Sequence, residues 1–432
     1  MRTKRKTIAF TAIAASTALI VSGCSGGGGG GEGGGGETPE TLTVATWVDI
    51  PPELLEQFTE ETGIKVEVNS FADGASAQTV LRNGLASNGA GLSDLHLVEL
   101  DWWTEMMALP EDWVTLPAVE DRWVDWKVTQ GSVGDEIKGY GMDIGPLAIA
   151  YDSTLMEAAG LPSDPEGFTE FIGGEDATWE SFLDAGRQFT EASDAAWIDS
   201  TSTAIQAAIN QLPAAFEDPD SGDAVALADN DDVKDLFTMF GEAAEEGVSA
   251  GVGIGHADWG AGFQARRWAT VITPAWATGI IAENAAGLEG WRIADAFPDG
   301  GGNWGGSFFA VPAAGAHTDA AVELADFLTS PEAAVSMFLL NGQFPSQLEA
   351  MQDPAVAETA NEFFGGQETG AIYAGLAESA GDKAAGGFRG VNFAGIQTLV
   401  MDGIRRIESG SEDAAAAWTS SVAEFDALGL TD

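Results

Sequence analysis

Apolar positions alternate with polar ones from Leu42 onward, and the period changes along the chain in a regular way. Leu42 to Thr46 reads as a strand, Pro52 to Thr62 as an amphipathic helix, Lys65 to Asn69 as a strand with Val66 and Val68 on one face, Ala75 to Asn88 as a helix, and Leu95 to Glu99 as a third strand. Alternation of this kind builds βαβ units and predicts a parallel sheet covered by helices. Gly63 suits a left-handed cap and Pro51-Pro52 the first turn of the helix between. After a Trp-rich loop, an extended stretch from Ile137 to Tyr151 is broken at Gly145-Pro146, a suitable place for the chain to cross between domains, and Asp152 to Ala159 reads as helix. Thr178 caps a predicted helix over Trp179 to Glu191, and helical segments follow at 202–211 and 231–246. Trp268 to Thr273 is strand-like, the loop Asp299 to Gly306 precedes a strand over Ser307 to Val311, and the remainder is helical: 319–328, a helix with Ser330 as cap and Pro331 at its first position, 354–364, 396–408 and 412–427. No internal repeat is visible.

The chain before Leu42 has a different character. Arg2, Lys4, Arg5 and Lys6 precede an apolar run from Ile8 to Val21 and the small residues Ser22 and Gly23. A run of about 14 residues is too short for a spanning helix, which needs roughly 20, and reads as a secretory signal. Val21-Ser22-Gly23-Cys24 resembles the lipobox of bacterial lipoproteins, which implies a diacylglyceryl group on Cys24 as the new N-terminus. Residues 25–37 hold ten Gly with nothing to pack; such a tract is a flexible tether with a reach of about 20 Å. The expected localisation is the outer face of the cell membrane, held by lipid.

Charge then narrows the partners. Against 18 Lys plus Arg stand 68 Asp plus Glu, a formal net charge of −50, which excludes nucleic acid as a partner. With 45% apolar residues and 14 Trp the chain has ample material for a core, so acidity here does not mean disorder. One Cys and three His, at 96, 256 and 317, match no zinc spacing, and neither a metal site nor a cofactor is expected. No G-x-S-x-G, H-E-x-x-H or P-loop occurs. Glu99 and Asp101, at i and i+2 of a strand tip, are the best-placed acidic pair, equally suited to gripping a ligand, and the chain is read as a binding protein and not an enzyme.

Five Trp fall where an element ends: Trp47, Trp102, Trp103, Trp276 and Trp304. Ligands of open α/β sheets bind beyond the carboxyl ends of the strands, where Trp47 and Trp102 are expected. Asp49, Asp101 and Asn303 stand beside them. Aromatic faces with Asp and Asn to receive hydroxyl protons suit a neutral sugar; the same inventory suits an organic cation in a cation–π box. Trp179, Trp268 and Trp418 are assigned to the core.

These residues resemble the extracellular solute-binding lipoproteins of bacterial ABC importers, in the sugar-binding group that includes maltose-type and cellobiose-type binding proteins. The likeness is carried by Leu42-Thr-Val-Ala-Thr-Trp47, Phe58-Thr-Glu-Glu-Thr-Gly-Ile-Lys-Val-Glu-Val68, Gly139-Tyr-Gly-Met-Asp-Ile-Gly-Pro146, Pro274-Ala-Trp276, Asn303-Trp-Gly-Gly-Ser307 and Phe327-Leu-Thr-Ser-Pro-Glu-Ala333. It implies an α/β fold of two lobes with a ligand cleft between discontinuous domains, expected as 41–145 plus 274–306 and 146–273 plus 307–432, behind a signal peptide (1–23) and a lipidated tether (24–40). It further implies Trp276 as a stacking aromatic, Asp49 and Asp101 as hydroxyl-binding carboxylates, Asp143 as a polar contact at the crossing strand, and Asn303 and Trp304 on a loop facing the cleft; Trp47 and Trp102 are candidates from their positions beyond the strand ends. Ala45-Thr46 departs from relatives that carry a further aromatic before Trp47. The implied partners are a small sugar and the permease subunits, with the chain itself a monomer; an organic cation, or a surface glycosidase activity, are the competing readings.

Overall fold

The computed structural model describes residues 38–383 and 387–431; the signal, Cys24 and the tether lie outside the described residues. Nine strands build two sheets. In chain order they are β1 (Thr41–Thr46), β2 (Lys65–Ser70), β3 (Leu95–Glu99), β4 (Tyr140–Gly141), β5 (Leu147–Asp152), β6 (Ala196–Ile198), β7 (Trp268–Pro274), β8 (Trp291–Ile293) and β9 (Ser307–Ala310). The first sheet runs β2-β1-β3-β9-β4, with β1 parallel to β2 and β3 and with β9 antiparallel to β3. The second runs β8-β5-β7-β6, with β5 antiparallel to both neighbours.

Each sheet has its own core. Around the first, Leu42, Val44, Phe58, Leu95, Phe309, Leu324 and Met337 are buried together on one face. Trp102, Trp103, Trp113 and Phe308 fill the other. Around the second, Tyr151, Phe168, Trp179, Trp197, Trp268 and Trp291 form a larger core to which the C-terminal helices Phe393–Glu408 and Ala414–Asp426 contribute Ile404 and Phe425. Trp179 and Trp268 are buried there and Trp418 packs against it, as expected of core residues.

The predicted helix over Pro52–Thr62 is present, ended by Gly63 at φ 78°. Thr178 caps Trp179–Ala192 through a reciprocal pair with Ser181, and Ser330 with Pro331 opens Pro331–Asn341. Three expectations need correction. The Trp-rich loop after β3 is a helix, Leu100–Met106, which buries Trp102 and Trp103. The single helix at 354–364 is a short helix, Pro354–Ala357, and a separate 3-10 turn, Glu362–Phe364. The lobe boundaries also differ. β8 pairs with the second sheet, and β9 enters the first between β3 and β4, placing Phe308 and Phe309 on opposite faces. The chain therefore returns to the first half at Ser307, not at Pro274, and helices Thr318–Leu328 and Pro331–Asn341 stay with that half through Leu324 and Met337.

Two crossings lie side by side between the halves. Gly145 accepts from Trp304 N at 2.7 Å, Gly302 accepts from Leu147 N at 3.0 Å, and Pro146 pairs with Asn303. A third segment, Phe344–Pro345, pairs with Asp143–Ile144. Gly145 and Pro146 lie between β4 of the first sheet and β5 of the second.

Candidate ligand-binding site

Where these crossings meet the tip of β3, a cavity of about 520 Å³ opens, lined by Trp47, Asp49, Glu99, Asp143, Trp276 and Trp304 among others. Trp47 lies against Gly74 at the start of helix Gly74–Ala86, where a Cβ would stand 3.6 Å from the ring. Trp276 follows β7 in a 3-10 turn and donates its Nε1 to Trp304 O at 3.2 Å, with the two rings edge to face at 6.2 Å. All three indoles are only partly buried, which leaves ring surface open to the cavity.

The floor depends on glycine. Gly306 has φ +107°, and a Cβ there would meet Asp143 O at 2.7 Å and Lys127 Nζ at 2.9 Å, so only a bare backbone passes. Beneath it Lys127 is 1% exposed, its Nζ 3.6 Å from the centroid of Phe308. Burial pushes this ammonium down to about 7, with Asp143 and Glu99 opposing the shift. Asp143 accepts from Ser307 N at 2.7 Å, and burial raises its carboxyl above the usual value despite Lys127. Burial and the neighbouring Asp101 raise the Glu99 carboxyl well above its usual range, with Arg389 and Lys127 opposing.

Five of the eight predicted residues, Trp47, Asp49, Asp143, Trp276 and Trp304, thus line one cavity. The other three do not line it. Asn303 is 2% exposed; its Oδ1 accepts from Gly145 N at 2.7 Å and its Nδ2 donates to Gly305 O at 2.9 Å, so both ends brace the crossing instead of facing ligand. Trp102 is buried and packs on Trp47 at 5.8 Å between ring centroids. Asp101 accepts from Arg389 Nη1 at 2.7 Å.

Trp304 also walls a second cavity, of about 550 Å³, which sequence reasoning missed. Ser200, Ser202, Thr203, Gln206, His256, Arg405 and Glu408 line it. Ser200 caps helix Thr201–Asn210, and the Glu408 carboxylate closes over this helix start, accepting from Ser249 Oγ (2.6 Å), Thr201 N (2.7 Å), Thr201 Oγ1 (2.9 Å) and Ser200 Oγ (2.9 Å). The run Asp199-Ser-Thr-Ser-Thr203 was the signal available in the sequence: four hydroxyl residues at a helix start. Of the three His, His96 is a core residue whose Nε2 accepts from Ser93 N, and His256 faces this cavity. Among the described residues no group of His, Cys, Asp and Glu is arranged to hold a metal ion.

A cleft between two α/β halves, reached through crossing segments and lined by indoles and carboxyls, defines a ligand receptor. The chain belongs to the bacterial extracellular solute-binding protein family, whose model matches residues 53–364. A crystal structure described as an extracellular solute-binding protein of family 1 is 31% identical, with a TM-score of 0.84 over 90% of this chain and 99% of its own. An ABC transporter associated binding protein from B. animalis subsp. lactis Bl-04, in complex with β-1,6-galactobiose, shares the fold at 18% identity, with a TM-score of 0.67 over 91% of this chain and 99% of its own. The GacH receptor of Streptomyces glaucescens does so at 16% identity, with a TM-score of 0.66 over 92% of this chain and 100% of its own. Comparison with curated protein sequences finds no match. Among the described residues no helix is long and apolar enough to cross a membrane.

Proposed function

We propose that the protein captures a neutral saccharide, a di- or oligosaccharide, between its two halves and hands it to the permease of an ABC importer, held at the outer membrane face by lipid on Cys24. The observation that carries this reading is the pair of cavities joined at Trp304, one with three indoles and three carboxyls, the other lined by the hydroxyls of Ser200, Ser202, Thr203 and Ser409 beside the Gln206 amide. Sugar rings present an apolar face and a polar rim, and this arrangement meets both. The galactobiose complex and the acarbose complexes described for the GacH receptor support a saccharide as ligand. Two cavities of about 550 and 520 Å³ favour a ligand longer than one ring. Mechanistically, a sugar touching both halves stabilises their closed arrangement, the form a permease recognises.

Thermal-shift screening against neutral saccharides tests this, since a ligand at 100 times its dissociation constant stabilises by about 2.7 kcal/mol. Among the described residues no Lys or Arg lines the indole-bounded cavity, which keeps an organic cation as the second reading. High salt weakens binding of a cation far more than that of a neutral sugar, so a salt series on any hit separates them. Release of shorter products from an oligosaccharide would instead mark a glycosidase.

A further inference from the structure

Arg389 reaches from one half of the molecule to the other. Its segment, residues 387–392, is fixed to the second half: Phe388 N donates to Pro213 O at 2.7 Å, and Asn392 donates through N and Nδ2 to Glu217 Oε1 at 2.9 and 3.1 Å. Gly390 passes so close to Glu217 that a Cβ would stand 2.2 Å from its carboxyl carbon. From this base Arg389 contacts the first half twice. Its Nη1 donates to Asp101 Oδ1 at 2.7 Å, and its carbonyl accepts from Thr104 Oγ1 at 2.8 Å, both on helix Leu100–Met106 directly after β3.

The guanidinium is nearly buried, 4.8 Å over the ring of Phe393, and its Nε and Nη2 have no hydrogen-bond partner among the described residues. Asp101 is the exposed member of the pair, with about a third of its side chain open to solvent. Glu99, on the cavity floor, lies within electrostatic reach of the same guanidinium. A buried cation with spare donors, paired with a carboxylate of the other half, is sensitive to small shifts of one half against the other.

We propose that segment 387–392 is a strap that holds the cleft closed, with Arg389 as its positioning residue: the Asp101 ion pair and the Thr104 hydrogen bond set the balance between open and closed forms, and through it the affinity for ligand. The inference rests on the reading that the halves close on a saccharide, and its first readout needs no ligand. The strap stays anchored on its own half through Phe388 and Asn392 without the Arg389 side chain, so removing that side chain breaks the Asp101 ion pair, together with the contact on Phe393, and leaves the Thr104 hydrogen bond in place.

The test is small-angle scattering of the ligand-free protein, with saccharide titration of the same samples, for the wild type, Arg389→Ala, Arg389→Lys and Asp101→Asn. Asp101→Asn changes a partly exposed side chain and guards against loss of folding in the Arg389 variants. The strap predicts a larger radius of gyration for Arg389→Ala and Asp101→Asn, an affinity about tenfold weaker as the competent population falls, and intermediate values for Arg389→Lys. Wild-type radius and affinity in both Arg389→Ala and Asp101→Asn overturn it, as does a lower melting temperature with both unchanged, which assigns the pair a structural role only. A wild type that binds no saccharide refutes the proposed function and leaves the scattering result to decide the strap.

Discussion

Trp304 is the residue on which most of the site turns, because both cavities use it and its carbonyl and amide hold Trp276 and Gly145. Trp276→Ala and Trp304→Ala should each weaken saccharide binding by about 1 to 3 kcal/mol, measured by titration calorimetry. Asn303→Ala should act differently: it leaves the buried Gly145 N–H unpaired and lowers the melting temperature, at a cost of about 1 to 3 kcal/mol. At this scale the sequence was informative where a side chain ends an element, as with Trp47 after β1 and Trp276 after β7. It was uninformative about partners. Asp101 looks free in its local sequence, and its cation lies 288 residues away. The hydroxyl-lined cavity went unseen because Glu408, which orders it, sits on the last turn of a distant helix.

Buried titrating groups give a further residue-scale prediction. Asp199 accepts from Trp259 Nε1 at 2.9 Å and from Ser200 N at 2.8 Å, yet burial raises its carboxyl from 3.8 to about 7. The folded protein keeps a proton that the unfolded chain has released, so this group makes stability fall as pH rises between about 4 and 7. His96, pushed by burial from 6.5 to about 4, acts oppositely: the unfolded chain binds the extra proton, and stability rises with pH over that window. Asp199→Asn removes the falling component only. Whatever the substitution costs overall, urea denaturation should find the variant gaining on the wild type from pH 4.5 to 7; a constant gap would show that Asp199 is ionised throughout.

Among elements, the long helices with caps were legible and the short ones were not. Thr178 and Ser181 exchange backbone and side-chain hydrogen bonds, Ser181 N to Thr178 Oγ1 at 3.1 Å and Thr178 N to Ser181 Oγ at 2.9 Å. Thr178→Ala should therefore cost about 1 kcal/mol in chemical denaturation. Leu100–Met106 follows β3 without a side-chain cap and is too short to show a period, so it read as loop. The βαβ start was plain from the alternation of periods. The position of β9 was not, because joining the first sheet beside β3 pairs Ser307 with Glu99 and Ala310 with His96, a distant pairing that no local pattern records. The crossing beside it tolerates no side chain at Gly306, and Gly306→Ala should lower the melting temperature and saccharide affinity together, through contact with Asp143 O.

For the whole molecule, two sheets with separate cores joined by narrow crossings form an architecture suited to relative motion of its halves. The formal charge of −50 is mostly surface acidity, and only a few carboxyls, chiefly Asp49, Glu99 and Asp143, reach the indole-lined cavity. Charge excluded classes of partner, and the placement of Trp pointed to the class proposed. Titration calorimetry with neutral di- and oligosaccharides, on the wild type and on Trp276→Ala/Trp304→Ala, tests the central claim most directly. Saturable binding by the wild type, lost in the double variant, is the expected result. Binding of the same sugar with unchanged affinity by the double variant would contradict it.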